Sequence, residues 1–280
     1  MHVSVGELAR LAPDALRGLG FSYSLADCAT ADLVWGEVVH SRSLSFLAKH
    51  GREIEEAAKA GYRLTSNRAG PLPFHEIDAS GKSLLEAGPR ALDLAQAEAS
   101  GKPGVVLLRN TSGTFLAGAL AKRAVARGLP LMVVSAAGKD SGAFEQPGVT
   151  IGIASGQEET SCAAPLQCLA AQDAPRRLEQ LGFACEVAEA AVRLLSQFID
   201  AAKDSPPSLA VLAWRFSSPG DVNAAAEAAS RWCRVTDFDT TMKDALANGI
   251  EVDADAWRTF GSYIQRTRIP TSERSRTQAG

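Results

Sequence analysis

The chain has 280 residues, 46% hydrophobic and 22% charged, enough for one large domain or two small ones whose core needs neither metal nor disulfide staples. Lys and Arg total 29 against 32 Asp and Glu, a net charge of −3, which argues against a nucleic-acid or anionic-membrane partner held by bulk charge. Aromatic residues make up 6% while alanine fills 49 positions, a mix that favours packed, short-side-chain helices over an all-β sandwich.

No apolar run approaches the roughly 18 residues that a membrane-spanning helix needs. The opening MHVSVGELARLAPD lacks the basic start and apolar centre of a secretory leader. Cys28, Cys162, Cys168, Cys185 and Cys233 are an odd number at irregular spacing, as expected of thiols in a reducing cytoplasm. A catalytic thiol at Cys162 or Cys168 is the alternative.

Ser4 with Glu7 and Ser24 with Asp27 are capping-box spacings that predict two helices, one to about Arg17 through Pro13 and one toward Val39. The polar, Gly- and Pro-containing stretch from Gly61 to Gly81 predicts a long connection. Pro89 suits the first turn of the next helix and Gly101 its stop. Val105–Leu108, Leu131–Val134 and Val149–Ala154 are apolar runs of strand length, and a helix from Phe115 to Arg127 separates the first two. That alternation predicts an α/β fold with helices around a short, largely parallel sheet. Cys162–Lys203 is predicted helical, Leu209–Trp214 a strand, Pro219–Trp232 a helix, and the last helix starts near Asp253 and runs to about Thr267. The expected organisation is a helical N-terminal segment at 1–60, an α/β core at 85–235, and at 236–280 a helix plus an extended basic arm packing back on the N-terminal segment. The three parts would form one interleaved unit.

Candidate chemistry concentrates where a strand hands over to a helix, because ligands of open α/β sheets gather at strand carboxyl ends and helix N-terminal amides favour anions. Arg109, Asn110, Ser112 and Thr114 supply a cation and short hydrogen-bonding groups at one such junction. The alternative is a capped helix with a solvated arginine. This loop is neither a phosphate-binding loop ending in Gly-Lys-Ser/Thr nor a GxGxxG dinucleotide fingerprint, so NAD(P) has no supporting motif and the cofactor stays open. Ser135 to Gly142 is polar and can line the same cleft, while Ser217 or Ser218 caps the helix opened by Pro219. His40, Ser41 and Arg42 end the second helix, and a histidine there can serve as acid or base or as a helix C-cap. No two histidines have a metal-ligand spacing, so no metal is expected. Arg266, Arg268, Arg274 and Arg276 make a basic C-terminal arm, either solvated or folded onto an anion.

Two stretches carry a resemblance. ELARLAPDALRGLGFSYSLADCATADLVWGEVVHSRSLSFL and GPRALDLAQAEASGKPGVVLLRNTSGTFLAGALAKRAVARGLPLMVVS resemble the malate/L-lactate dehydrogenase family of the second type. That family includes ureidoglycolate and sulfolactate dehydrogenases and reductases of cyclic imino acids. The closing GIEVDADAWRTFGSYIQRTRIP looks like the family's last helix. Ser41, Arg109 and Asn110 match the family's pattern. Arg42 stands where the acid/base histidine is expected, Phe46 where the substrate arginine is expected, and Gly113 where a second histidine is expected. His40 lies one helical position, about 100°, out of register. The chain thus resembles a distant, catalytically degenerate relative of that family. Its start and its Ile269–Arg276 ending are closer to a bacterial family known only as a domain of unknown function, which draws attention to Glu273, Arg274 and Arg276.

The resemblance implies a homodimer and a small anionic metabolite. The leading expectation is an enzyme acting on a small carboxylate or imino acid by altered chemistry. Arg42, Arg109, Asn110, Ser112, Thr114, Arg274 and Arg276 would bind the substrate, and His40, Ser41 or Glu273 would move a proton. The alternatives are a non-catalytic metabolite-binding or partner subunit, and an NAD(P)-dependent oxidoreductase with a rebuilt site.

Overall fold

The computed structural model describes residues 1–100, 102–136, 144–145, 147–155, 158–235 and 238–267. Strand β1 (His2–Val3) precedes helices α1 (Val5–Gly18), α2 (Tyr23–His40) and α3 (Ser43–Ala58). Strands β2 (Arg63–Ala69) and β3 (Leu72–Asp78) lead to α4 (Leu84–Glu98), β4 (Gly104–Arg109), a 3₁₀ turn at Thr114–Leu116, α5 (Ala117–Val125) and β5 (Leu131–Ala136). Next come β6 (Gly148–Ser155), β7 (Glu158–Ala164), α6 (Gln167–Ala170), α7 (Ala174–Gln180), α8 (Cys185–Ala202) and β8 (Ser208–Ala213). The chain continues through α9 (Pro219–Trp232), β9 (Arg234–Val235), α10 (Phe238–Asn248), β10 (Ile250–Glu251) and α11 (Ala254–Thr267).

Local capping accounts for several of these boundaries. The Glu7 amide donates to Ser4 Oγ, and the Asp255 and Ala256 amides donate to Asp253 Oδ1. Ser218 and Asp221 form a reciprocal capping box that opens α9 at Pro219. The second expected box is absent, since α2 begins at Tyr23 after an N-cap Ser22 whose side chain accepts no capping bond. Helix α4 starts a turn before the expected point and runs through Pro89, because the Leu84 amide is held by the Ser112 carbonyl at 2.8 Å.

Eight strands form one mixed sheet in the order β2-β3-β4-β8-β5-β6-β7-β9, while β1 pairs with β10. The α/β class stands, but the sheet is mixed, not largely parallel: β3·β4 is its parallel pair and the other neighbours run antiparallel. The βαβ pattern still holds in direction. Strands β4 and β5 point the same way because each is antiparallel to β8, which is inserted between them. A buried apolar run specifies a strand covered on both faces; it does not specify the neighbour.

Alternation across the sheet divides the core. Val106, Leu108, Val133 and Val211 face a cluster with α1–α5 and α11, whereas Val105, Leu107, Val134 and Leu212 face one with α6–α9. Helix α11 lies on α1 and α3, where two glycines make room. A Cβ on Gly18 would fall 2.0 Å from the Tyr263 carbonyl oxygen, and one on Gly51 2.1 Å from the Tyr263 hydroxyl. That hydroxyl donates to the Leu47 carbonyl at 3.1 Å.

Two further expectations are corrected. The stretch 61–81 is mostly the β2–β3 hairpin, not a connection, and it turns at Gly70 with φ of 60°. The predicted helical region from Cys162 opens instead with the end of β7, whose pairing with β6 runs from Ser155–Glu158 to Val149–Ala164. Among the described residues no helix is long and apolar enough to cross a membrane. The arm beyond Thr267, including Glu273, Arg274 and Arg276, and the segment 137–143 lie outside the described residues.

Candidate functional site

The junction between α2 and α3 is held by a buried carboxylate. The Leu44 amide donates to Glu37 Oε2 at 2.8 Å, and the Ser43 amide bonds the same carboxylate. Burial pushes the Glu37 carboxyl above its ordinary value, and these two amides offset part of that shift. Ser41 takes the left-handed C-cap of α2 at φ 52° and Arg42 the N-cap of α3. His40, on the last turn of α2, sets its ring edge-to-face against Trp35 at 5.2 Å and Phe115 at 6.0 Å. Burial, and secondarily the Arg42 charge, hold the His40 pKa below the usual histidine value. The imidazole is therefore neutral at pH 7 and suited to accept a proton.

The loop after β4 is tied down from several sides. Arg109 pairs with Glu76 at 3.2 Å and lies 4.7 Å above the Phe198 ring. The Thr111 hydroxyl donates to the Lys82 carbonyl at 2.8 Å, and its amide donates to Pro207 at 3.0 Å. Asn110 sits at φ 53° beside Asp78, and Ser112 bridges to Ser83. The Gly113 and Thr114 amides, the donors best placed for an anion, are already engaged. They donate to Glu145 Oε1 and Oε2, each at 3.0 Å. Phe46 closes over this turn, and a Cβ on Gly113 would lie 3.0 Å from its Cζ. Phe115 and Phe144 complete the lid of rings, at 5.7 and 5.5 Å from Phe46.

An open cleft lies two strands further along the sheet, beyond β8. This cleft of about 800 Å³ has its floor at the carboxyl end of β5 and its partners: Ser135, Gly148–Thr150, Ala163–Ala164 and Arg234. Register explains the grouping, since Ser135 pairs with Gly148, Thr150 with Ala163, and Ala163 with Arg234. Trp35, His40, Thr114, Phe115 and Phe238 form its walls. Among the described lining residues Arg234 is the one formally charged side chain, and it is solvent-exposed.

Of the residues singled out in the sequence, His40, Thr114 and Ser135 line this cleft. Ser41 and Arg42 follow at the helix junction, while Arg109, Asn110 and Ser112 belong to the packed end of β4. Arg234, Glu145 and the Trp35–Phe238 wall were missed. Arg234 reaches the cleft through strand pairing between β7 and β9, which no local pattern announces. The cysteines stand apart from this chemistry: Cys162, Cys168 and Cys233 are buried free thiols. Burial raises the Cys168 thiol to about 11, which leaves it protonated.

Several solved structures share this fold. The chain superimposes on the sulfolactate dehydrogenase of Methanocaldococcus jannaschii with a TM-score of 0.65 at 12% identity, covering 95% of this chain and 97% of that one. For the malate dehydrogenase of Pyrococcus horikoshii OT3 the values are 0.63, 14%, 95% and 95%. The chain has the fold of these dehydrogenases. It is also similar to the delta1-piperideine-2-carboxylate reductase of Pseudomonas syringae pvar. tomato, with a TM-score of 0.56, 10% identity and coverage of 94% and 99%. No family model matches the sequence, and no curated protein does either.

A nicotinamide dinucleotide would need cations or vacant amides for its diphosphate. Among the described cleft residues Arg234 is the single arginine or lysine, and the amides of Gly113 and Thr114 face a carboxylate. These described residues do not fit that group.

Proposed function

We propose that the chain is an enzyme of small-molecule metabolism that binds a small carboxylate or imino acid in the β5 cleft. Arg234 holds the carboxylate, and His40 exchanges a proton at C2 or C3 of the bound acid. The observation that carries this reading is that His40 and the exposed Arg234 line one cleft whose other described side chains are uncharged. A guanidinium is matched to a carboxylate, and a neutral imidazole can take the adjacent proton. The ring nitrogen would accept the C3 proton of a 2-oxo or cyclic imino acid, with the electron pair passing into the adjacent carbonyl or imine, or the C2 proton of a 2-hydroxy acid, with the pair passing into the carboxylate; return of a proton would complete a tautomerisation or epimerisation. The dehydrogenase and reductase names of the structural neighbours agree with a small carboxylate or cyclic imino acid as substrate.

The test is exchange of hydrogen for deuterium in heavy water over the enzyme-free rate, followed by proton NMR at C2 of 2-hydroxy acids and at C3 of 2-oxo and cyclic imino acids. Exchange that His40→Gln abolishes and Arg234→Gln weakens through KM is expected. Exchange unchanged in His40→Gln would overturn the assignment. A second reading, metabolite binding without turnover, is favoured by the surroundings of His40, whose contacts among the described residues are ring contacts and not an orienting hydrogen bond. Ligand-induced stabilisation without exchange would select it. On either reading the chain acts as a homodimer in the cytoplasm, and a monomeric mass by light scattering would remove the dimer.

A further inference from the structure

We infer that the cleft selects monocarboxylates carrying an aromatic or bulky apolar side chain over short dicarboxylates, an inference that rests on the cleft being the carboxylate site. Three observations point there. The first is charge. Arg234 is the one formally charged side chain among the described lining residues, so none of the others described offers a second carboxylate a counter-charge, and desolvation penalises its entry. The position where the resemblance places a substrate arginine is Phe46, 1% exposed and packed among rings. It supplies no second cation.

The second is shape. About 800 Å³ belongs to the range that encloses drug-sized ligands, much more than a three- or four-carbon acid fills. The third is the wall. Phe238, Trp35, His40 and Phe115 form a continuous run of rings, with successive centroids 5.0, 5.2 and 6.0 Å apart in edge-to-face contacts. Such a band offers faces and edges to a further ring, and it runs past the imidazole assigned to proton exchange. A substrate anchored by its carboxylate at Arg234 would lay its side chain along that band.

Calorimetric titration of the full chain with 3-phenyllactate, phenylpyruvate, lactate, malate and oxaloacetate tests the inference. Both phenyl acids are expected to bind at least tenfold more tightly than malate or oxaloacetate. Arg234→Gln should weaken all of them. Phe238→Ala, at a partly exposed position, should remove most of the advantage of the phenyl acids over lactate. Equal or tighter binding of malate or oxaloacetate would overturn the side-chain inference and leave the carboxylate reading standing. Failure of every acid to bind a chain shown folded by circular dichroism would overturn both.

Discussion

Replacing Phe46 by alanine tests whether the end of β4 is sealed by packing. The ring is 1% exposed and lies 5.7, 5.5 and 5.4 Å from the Phe115, Phe144 and His50 rings. Its edge rests on the Gly113 backbone, which is held at φ 78°. Truncation removes the transfer free energy of a buried benzyl group and leaves a cavity that Gly113 cannot fill, a combined loss of about 4 kcal/mol. With an unfolding entropy of about 2.1 cal/mol/K per residue, a chain of this length has a total near 0.6 kcal/mol/K, so Tm should fall by about 7 °C. Urea unfolding with an unchanged m-value would show that the loss is in stability and not in the denatured state. Phe46→Leu, which refills most of the volume, should cost about 1–2 kcal/mol. A loss below about 1 kcal/mol for Phe46→Ala would mean that the turn collapses over the gap, and the sealed-end argument would fail.

Three other changes have defined outcomes. Lys82 is 2% exposed and donates to the Ala57 and Ala58 carbonyls at 2.8 and 3.1 Å while pairing with Glu86 at 2.8 Å. Lys82→Met should cost about 3 kcal/mol or more by denaturant unfolding, because it strands a buried carboxylate, and a double-mutant cycle with Glu86→Gln should recover part of it. A Cβ on Gly118 would stand 2.3 Å from Trp35 Cη2, so Gly118→Val should displace the indole, cost about 1–3 kcal/mol and change tryptophan fluorescence. An unchanged spectrum would deny that contact. Arg42→Gln should raise the His40 pKa toward its ordinary value, read from the imidazole proton shifts by NMR, because it removes the secondary of the two causes that lower it. In the native chain the depressed pKa means that the unfolded state binds the proton more readily. The group's contribution is therefore present above about pH 6.5 and lost as pH falls from there toward the folded pKa. Arg42→Gln should shrink that loss; identical titrations in both proteins would refute the coupling.

The sequence was legible where structure is local. Ser4, Ser218 and Asp253 marked α1, α9 and α11 because each side chain bonds an amide two or three residues away. Val105–Leu108, Leu131–Val134 and Leu209–Ala213 were legible as strands because helices cover both faces of the sheet at those positions. The β2–β3 hairpin was not, since every β2 residue before Ala69 is exposed and no apolar alternation is required of it. Strand β7, reading Glu-Glu-Thr-Ser-Cys-Ala-Ala, has short or charged side chains and takes its conformation from β6. The site divides in the same way: His40 and Thr114 could be found from helix ends, whereas Arg234 depends on register between strands far apart in sequence.

The insertion of β8 explains why the most attractive loop in the sequence is not where the cleft opens. Neighbouring strands lie about 4.8 Å apart, so one intervening strand separates the carboxyl ends of β4 and β5 by about 10 Å. The reversed β8 also brings its own entry, Pro207, to that edge, where it accepts the Thr111 amide. The β4 end is thereby fastened to the β8 entry, to the Lys82–Ser83 turn and to Glu145. The β5 end, where the Ser135 hydroxyl donates to the Gly148 carbonyl at 3.3 Å, opens onto β6, β7 and β9. A strand-to-helix loop rich in hydrogen-bonding side chains has two uses, holding a ligand and holding the chain. Here the amides of Gly113 and Thr114 are spent on a carboxylate of the protein itself, and the proposed site lies instead at His40 and Arg234.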